Sequence, residues 1–261
     1  MLAALVGLAA EAGAAPVTCP DRPLKVAMYQ DGMLYSHGKG IDQDLLDELG
    51  RRTGCRFSTI VLPRVRAYVW LRTGEIDMVM SSLANDERSG YAWFFPYLQQ
   101  KWMAVLAADA PATLTSAQFL AEDTLRFGAV RGLYHGERYE EWNSALARGG
   151  RLDLLADPSS LYDMLKYRRI AGFFAVPLQY ERELRVRGMS AAVRTVDWFP
   201  AAPPIVGCIA LSKKNFLPEE SERWRATVIS IRDDGTLLRI LQRYVTTAEA
   251  KRAIAHPGAR P

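Results

Sequence analysis

Three cysteines and three histidines in 261 residues are too few for a zinc or iron–sulfur framework, and none stands at metal-ligand spacing. Neither charge sign dominates: 33 basic against 29 acidic residues leave a net charge of +4, spread along the chain without a basic block or basic helix. Nucleic acid is therefore a poor partner. No apolar run reaches bilayer-spanning length, and no phosphate loop, nucleophile elbow, heptad or internal repeat is present. What remains is ordinary globular composition, 49% hydrophobic and 24% charged, enough for one large domain or two small lobes.

Met1 to Ala10 is almost wholly apolar, and Ala12-Gly13-Ala14 follows with small residues at cleavage-site spacing. The pattern predicts a signal peptide over residues 1–14, cut after Ala14, and a periplasmic chain. It lacks a basic n-region, so the leader reads as incomplete. Export permits a disulfide. Cys19 precedes the first predicted strand and Cys55 opens the second, which pairs Cys19 with Cys55, the alternative being three reduced thiols. Cys208, inside an apolar strand, reads as a buried free thiol.

Strand and helix alternate along the first hundred residues. Lys25–Tyr29, Cys55–Leu62 and Ile76–Ser82 read as strands. Apolar residues at 41, 45, 46 and 49 make a helix of Ile41–Arg52, with Asp42 and Asp44 in its first turn, Arg51 and Arg52 in its last and Gly54 beyond. Arg64–Arg72 is a second helix, closed by Gly74. A second series starts at Arg126, with helices at Glu137–Arg148 and Ser159–Tyr167 and a strand at Ile170–Val176. An Ala/Pro/Thr connector at 108–115 and the Pro-rich stretch 198–204 flank it, and 218–255 reads as helical. This predicts an α/β, two-lobed architecture with mainly parallel sheets and a two-crossing hinge. Residues 22–107 plus 205–255 form the first lobe and 108–204 the inserted second, and the tail 256–261 is disordered. A cleft between such lobes is a favoured place for a small ligand.

The segment Thr73–Tyr97 carries the sharpest local signal. A buried strand empties into a polar turn, and Arg88 stands before a Trp-Phe-Phe-Pro-Tyr cluster. Ligands bind at strand ends in open α/β sheets, where an arginine offers a planar fork to a carboxylate or phosphate.

The ordered pieces resemble the family 3 periplasmic solute-binding proteins, with the type II periplasmic-binding fold. They are Leu24-Lys-Val-Ala-Met-Tyr29, Gly40-Ile-Asp-Gln-Asp-Leu45, Pro63-Arg-Val-Arg-Ala67, Leu71-Arg-Thr-Gly-Glu-Ile-Asp77, Glu87-Arg88 and Phe95-Pro-Tyr97. Later come Phe127-Gly-Ala-Val-Arg-Gly132, Met164-Leu-Lys-Tyr-Arg-Arg-Ile-Ala-Gly172 and Arg232-Asp-Asp-Gly-Thr-Leu237. The resemblance implies a receptor that needs no cofactor, catalyses nothing, and delivers a small molecule to a membrane ABC permease as a monomer. It implies Arg88 as the carboxylate clasp, with Ser81 and Ser82 completing it and the Arg131-Gly132-Leu-Tyr134 turn gripping from the second lobe. Tyr29, Tyr35, Tyr97, Trp102 and Phe174 are candidate pocket walls, and Arg64 and Arg66 candidate ligand contacts.

Two departures redirect the expected ligand. The acid that such receptors place after the strand at Ile170–Val176, to pair a ligand ammonium, is absent from Phe173-Phe174-Ala175-Val176-Pro177. Asp157, before Pro158, reads instead as a helix N-terminal residue. Arg64 replaces the usual aromatic between Pro63 and Val65. Both favour a modest carboxylate or other anion over a standard α-amino acid. Two alternatives use the same fold: a periplasmic enzyme resembling cyclohexadienyl or arogenate dehydratase, and the ligand-sensing subunit of a membrane signalling system. Of the histidines, only His135, at a helix start, is placed to serve as a catalytic base.

Overall fold

The structure is a computed structural model and describes residues 16–255. The expected leader (1–14) and tail (256–261) lie outside the described residues.

The first lobe opens with β1 (Leu24–Met28), α1 (Ile41–Thr53), β2 (Phe57–Val61), α2 (Arg64–Thr73), β3 (Met78–Ser82), α3 (Asp86–Ser89) and β4 (Ala92–Gln100). The chain crosses and builds β5 (Met103–Ala107), α4 (Ser116–Ala121), β6 (Phe127–Val130), α5 (Glu137–Arg148), β7 (Leu152–Leu155), α6 (Pro158–Lys166), β8 (Gly172–Ala175), α7 (Pro177–Val186) and β9 (Val193–Val196). It then returns through β10 (Ile205–Ser212) to α8 (Pro218–Asp233), α9 (Thr236–Leu241) and α10 (Thr247–Ala253).

The two five-stranded sheets share one plan, β2-β1-β3-β10-β4 and β7-β6-β8-β5-β9. In each, three neighbouring strands run parallel, and a fourth, antiparallel strand has just crossed from the other lobe. The segment Lys101–Ala107, assigned from sequence to the first lobe, therefore belongs to the second sheet, where β5 pairs with β8 and β9. Its apolar run was visible, but the strand's partners lie roughly seventy and ninety residues onward, beyond any local pattern.

Local chemistry explains the elements that position the cleft. In α1 the buried stripe is Ile41, Leu45, Leu46 and Leu49, and Gly54 ends the helix at φ +76°. The central strand β3 is buried throughout, as expected for a strand covered on both faces. The aromatic cluster at Trp93–Tyr97 is itself strand β4, at the sheet edge, where Pro96 needs no ladder donor. The long C-terminal helical stretch is cut in three, by Gly235 at φ +77° and by the Thr246 capping box.

Asp77, 1% exposed, pins the first lobe's base. It accepts from Arg22 at 2.6 and 2.7 Å, from the Lys25 backbone N–H at 2.7 Å and from Asn215 at 2.7 Å. Burial pushes its carboxyl up, and these bonds outweigh burial and hold it below the ordinary range. The Cys19–Cys55 disulfide ties the N-terminal arm to the start of β2, and Cys208 is free and buried. The second lobe is cored by an aromatic knot in which Phe127 meets Trp142 and Phe174 at 4.7 and 4.8 Å between ring centres. No helix among the described residues is long and apolar enough to cross a membrane.

Candidate functional site

The lobes meet face to face at the ends of their strands, and each plants an apolar side chain in the other. Leu178, from α7, is buried in the first lobe's core, and Leu83, after β3, in the second lobe's. The Met33 N–H donates to Leu178 O at 2.9 Å. Gly32 lies so close to α7 that a Cβ there would come within 2.5 Å of Gln179 O. Gly132 similarly faces Val65 across the seam.

A polar cluster runs along this seam. Arg64, 4% exposed, donates from Nη2 to Asp31 Oδ2 at 2.9 Å and from Nη1 to Ser81 O at 3.3 Å, and its guanidinium lies 4.0 Å from the Tyr29 ring centre. Gln179, from the other lobe, donates to the same Asp31 oxygen at 2.7 Å. Burial raises the Asp31 carboxyl, with the Arg64 charge and the bonds from Gln179 and Arg64 pulling against it.

Behind Ser81, which holds φ +46°, Asp42 accepts from Ser81 Oγ and from the Tyr97 hydroxyl, each at 2.6 Å. Burial pushes Asp42 up to about 7, against those two bonds. Beyond the cluster, Arg88 donates from Nη1 to Leu83 O at 2.8 Å and from Nη2, across the seam, to Gly132 O at 2.7 Å. Its guanidinium stacks on Tyr68 at 3.8 Å, and no Asp or Glu among the described residues pairs with it.

The seam holds a small cavity of about 30 Å³, walled by Arg64, Ser81, Gln100, Trp102, Gln179 and apolar neighbours. Two wall residues keep buried N–H groups without a partner, Arg64 at Nε and Trp102 at Nε1. Larger grooves open on either side. One, of about 610 Å³, lies between Asn85–Glu87 and Tyr134–Tyr139. The other, of about 390 Å³, lies between Asp31 and His37 on one lobe and Asp157 and Arg187 on the other.

The structure gathers Arg88, Ser81, Arg64, Tyr29, Tyr97, Trp102 and Gly132 at this seam. Ser82 lies one step behind it, its hydroxyl 2.9 Å from that of Tyr68, and Tyr134 lines the larger groove. Two expectations stand outside the buried cluster, and two fail on position. Arg66 and Arg131 are exposed, each one residue from the Val65–Gly132 contact, and neither bonds to the buried cluster. Tyr35 is packed in the first lobe's core, because residues 31–40 fold back on themselves through the Asp31–Tyr35 bridge. Phe174 is in the aromatic knot, since β8 is buried on both faces and neither Phe173 nor Phe174 reaches the cleft.

Asp157 caps α6 by accepting from the Ser160 N–H at 3.0 Å. The His135 ring packs on Trp102, 4.7 Å between centres, with Nδ1 3.1 Å from Glu140. Sequence reasoning missed Asp31, Gln179 and Tyr68 as site residues and read Asp42 only as a helix acid.

The family model described as bacterial extracellular solute-binding proteins, family 3, matches residues 22–247. A sequence comparison with curated proteins returns no match. Solved structures of similar fold include an ancestral arginine-binding protein bound to arginine, at 16% identity and TM-score 0.72 over 85% of this chain and 97% of that one. Another is the arginine-, lysine-, histidine-binding protein ArtJ from Geobacillus stearothermophilus, at 13% identity and TM-score 0.73 over 88% and 100%. A histidine kinase sensor domain with similarity to periplasmic binding proteins aligns at 13% identity and TM-score 0.72 over 90% and 98%.

Proposed function

The chain belongs to the bacterial extracellular solute-binding proteins, family 3, and on that premise we propose that it is an exported, monomeric receptor whose lobes part and close over a small carboxylate-bearing solute for a membrane ABC permease. One observation carries the choice of ligand charge. Arg88 is 8% exposed at the seam, yet its partners are two carbonyls and a tyrosine face. A buried guanidinium without a counter-charge is an electrostatic demand that a carboxylate meets with two parallel bonds. Parting the lobes releases Nη2 from Gly132 O and presents it to the solute. The cavity of about 30 Å³ holds little more than a water molecule, so a solute enters only through that parting.

The test is a thermal-shift screen of organic acids, amino acids, amines and sugars on protein freed of co-purified ligand. Arg88→Ala should weaken binding of the hit at least about 30-fold, or ~2 kcal/mol, while the unliganded fold persists. An unchanged melting shift in that variant removes Arg88 from the site. Consumption of the hit at catalytic protein concentration, followed by mass spectrometry, would replace the receptor reading with the dehydratase-like one.

The sensor-domain neighbour favours a second reading, in which closure signals rather than delivers. Deleting the chain from its host separates the two. Delivery predicts lost uptake of the hit. Sensing predicts intact uptake and a lost response to it.

A further inference from the structure

The geometry points to a solute with two carboxylates and no ammonium, one carboxylate taken by Arg88 and the other by Arg64 in exchange for Asp31. The inference deepens the receptor reading and rests on it.

Two buried guanidiniums are anchored on one strand end. Arg64 donates to Ser81 O and Arg88 to Leu83 O, carbonyls two residues apart and so at most about 7 Å along the chain. A single cation at a strand end would suit a monocarboxylate. A pair of them, anchored two residues apart, suits two anionic groups on a short chain.

The wall of the cavity asks for acceptors. Its unpartnered buried groups are both donors, Arg64 Nε and Trp102 Nε1. Its polar side chains already serve the protein: Gln100 Oε1 takes the Leu178 N–H at 3.1 Å, Gln179 Oε1 takes the Val176 N–H at 3.1 Å, and Ser81 Oγ donates to Asp42 at 2.6 Å. An ammonium at this wall would find no counter-charge, because no Asp or Glu among the described residues lines the cavity, and Val176, 1% exposed, offers none. A buried cation without a counter-charge is costly, so the wall selects against amino acids and amines.

Asp31 holds the second place. It lies on Arg64 as a ligand carboxylate would, and it is also bonded to Gln179 of the opposite lobe. An incoming carboxylate that replaces it gains the free Arg64 Nε as well. The displaced Asp31 keeps the Gln179 amide and has room on its other side, because it lines the open groove of about 390 Å³. Asp31 is thus a built-in competitor that sets the affinity of the second subsite.

Titration calorimetry and thermal shift with malonate, succinate and glutarate, against butyrate, glutamate and arginine, test this. At least one dicarboxylate should bind at least tenfold tighter than every other compound in the panel. Arg64→Gln and Arg88→Gln should each weaken it at least tenfold. Should Arg64→Gln fail to fold, Asp31→Asn decides the point, since removing the competitor should tighten the dicarboxylate severalfold. No binding of any dicarboxylate at millimolar concentration, or an unchanged affinity in Asp31→Asn, overturns the inference. If glutamate or arginine binds best, the receptor reading stands and the two-carboxylate assignment alone falls.

Discussion

Arg88, in α3 of the first lobe, and Gly132, in the turn after β6 of the second, are 44 residues apart and joined by a 2.7 Å hydrogen bond from the guanidinium to the glycine carbonyl. The bond closes the seam because Gly132 has no side chain. It sits at φ +78°, and a Cβ there would come within 2.8 Å of Val65 Cγ2 on the other lobe. Closure and the proposed carboxylate capture therefore draw on the same guanidinium, and on that proposal the seam must yield before Arg88 is free to bind.

Gly132→Val should hold the lobes apart. Small-angle scattering is expected to show a larger radius of gyration than wild type, with the ligand-induced melting shift lost. Gly38→Ala is the control: it has the same φ of +78° with nothing within 4 Å of the added Cβ. It carries the backbone strain, about 1–2 kcal/mol, without the steric block. If both variants open the molecule equally, or neither does, the Gly132–Val65 contact does not set closure.

The disulfide offers an independent check on the first lobe. Cys19 and Cys55 are 36 residues apart, and cross-linking such a loop stabilises by about 3–4 kcal/mol in the chain-entropy account. Cys55→Ser should lower the melting temperature by roughly 10 °C, the shift expected for that free energy in a chain of this size. Cys208 should stay silent to thiol reagents until denaturant is added, since it is fully buried and burial pushes its thiol far up. A thiol reacting in the native protein would contradict this packing.

How far the sequence foretold this arrangement depends on the range of the interaction. The stripe of α1, its closing Gly54 and the strand–helix alternation are local, and the residues state them outright. The disulfide was legible because two adjacent strands begin beside each other, and Leu24 does pair with Phe57 in register. Asp31 was not legible. A loop aspartate carries no local sign that Arg64, 33 residues on, and Gln179, 148 residues on, will converge on one of its oxygens.

Asp42 shows the same limit more sharply. Its place in the first turn of α1 is explained by the helix dipole, and a solvated helix acid would satisfy that reading. Instead it is 1% exposed, because Ser81 and Tyr97, 39 and 55 residues away, fold over it. Phe174 errs in the opposite sense. Its place in an apolar strand was legible, but burial of β8 on both faces keeps the ring from the cleft.

The buried Asp42 makes stability depend on pH in a sense opposite to that of salt-bridged carboxylates. Burial raises it from 3.8 to about 7, so the folded protein holds a proton that the unfolded chain has already released above about pH 4. Stability is full below the unfolded value and declines as pH rises through 7, by about 1.4 kcal/mol per unit while the two states differ by one proton. Above that range a constant deficit remains, about 4 kcal/mol at most. The charged groups facing Asp42 across the cluster are Asp31, which adds to the rise, and Arg64, which opposes it. Urea denaturation of the unliganded protein between pH 5 and 8 should show the falling midpoint, and Asp42→Asn should flatten it, because an amide keeps a partner for Ser81 and Tyr97 without titrating. A wild-type midpoint that rises across this window, or an Asp42→Asn profile as steep as wild type, would mean that the carboxylate stays ionised at the seam.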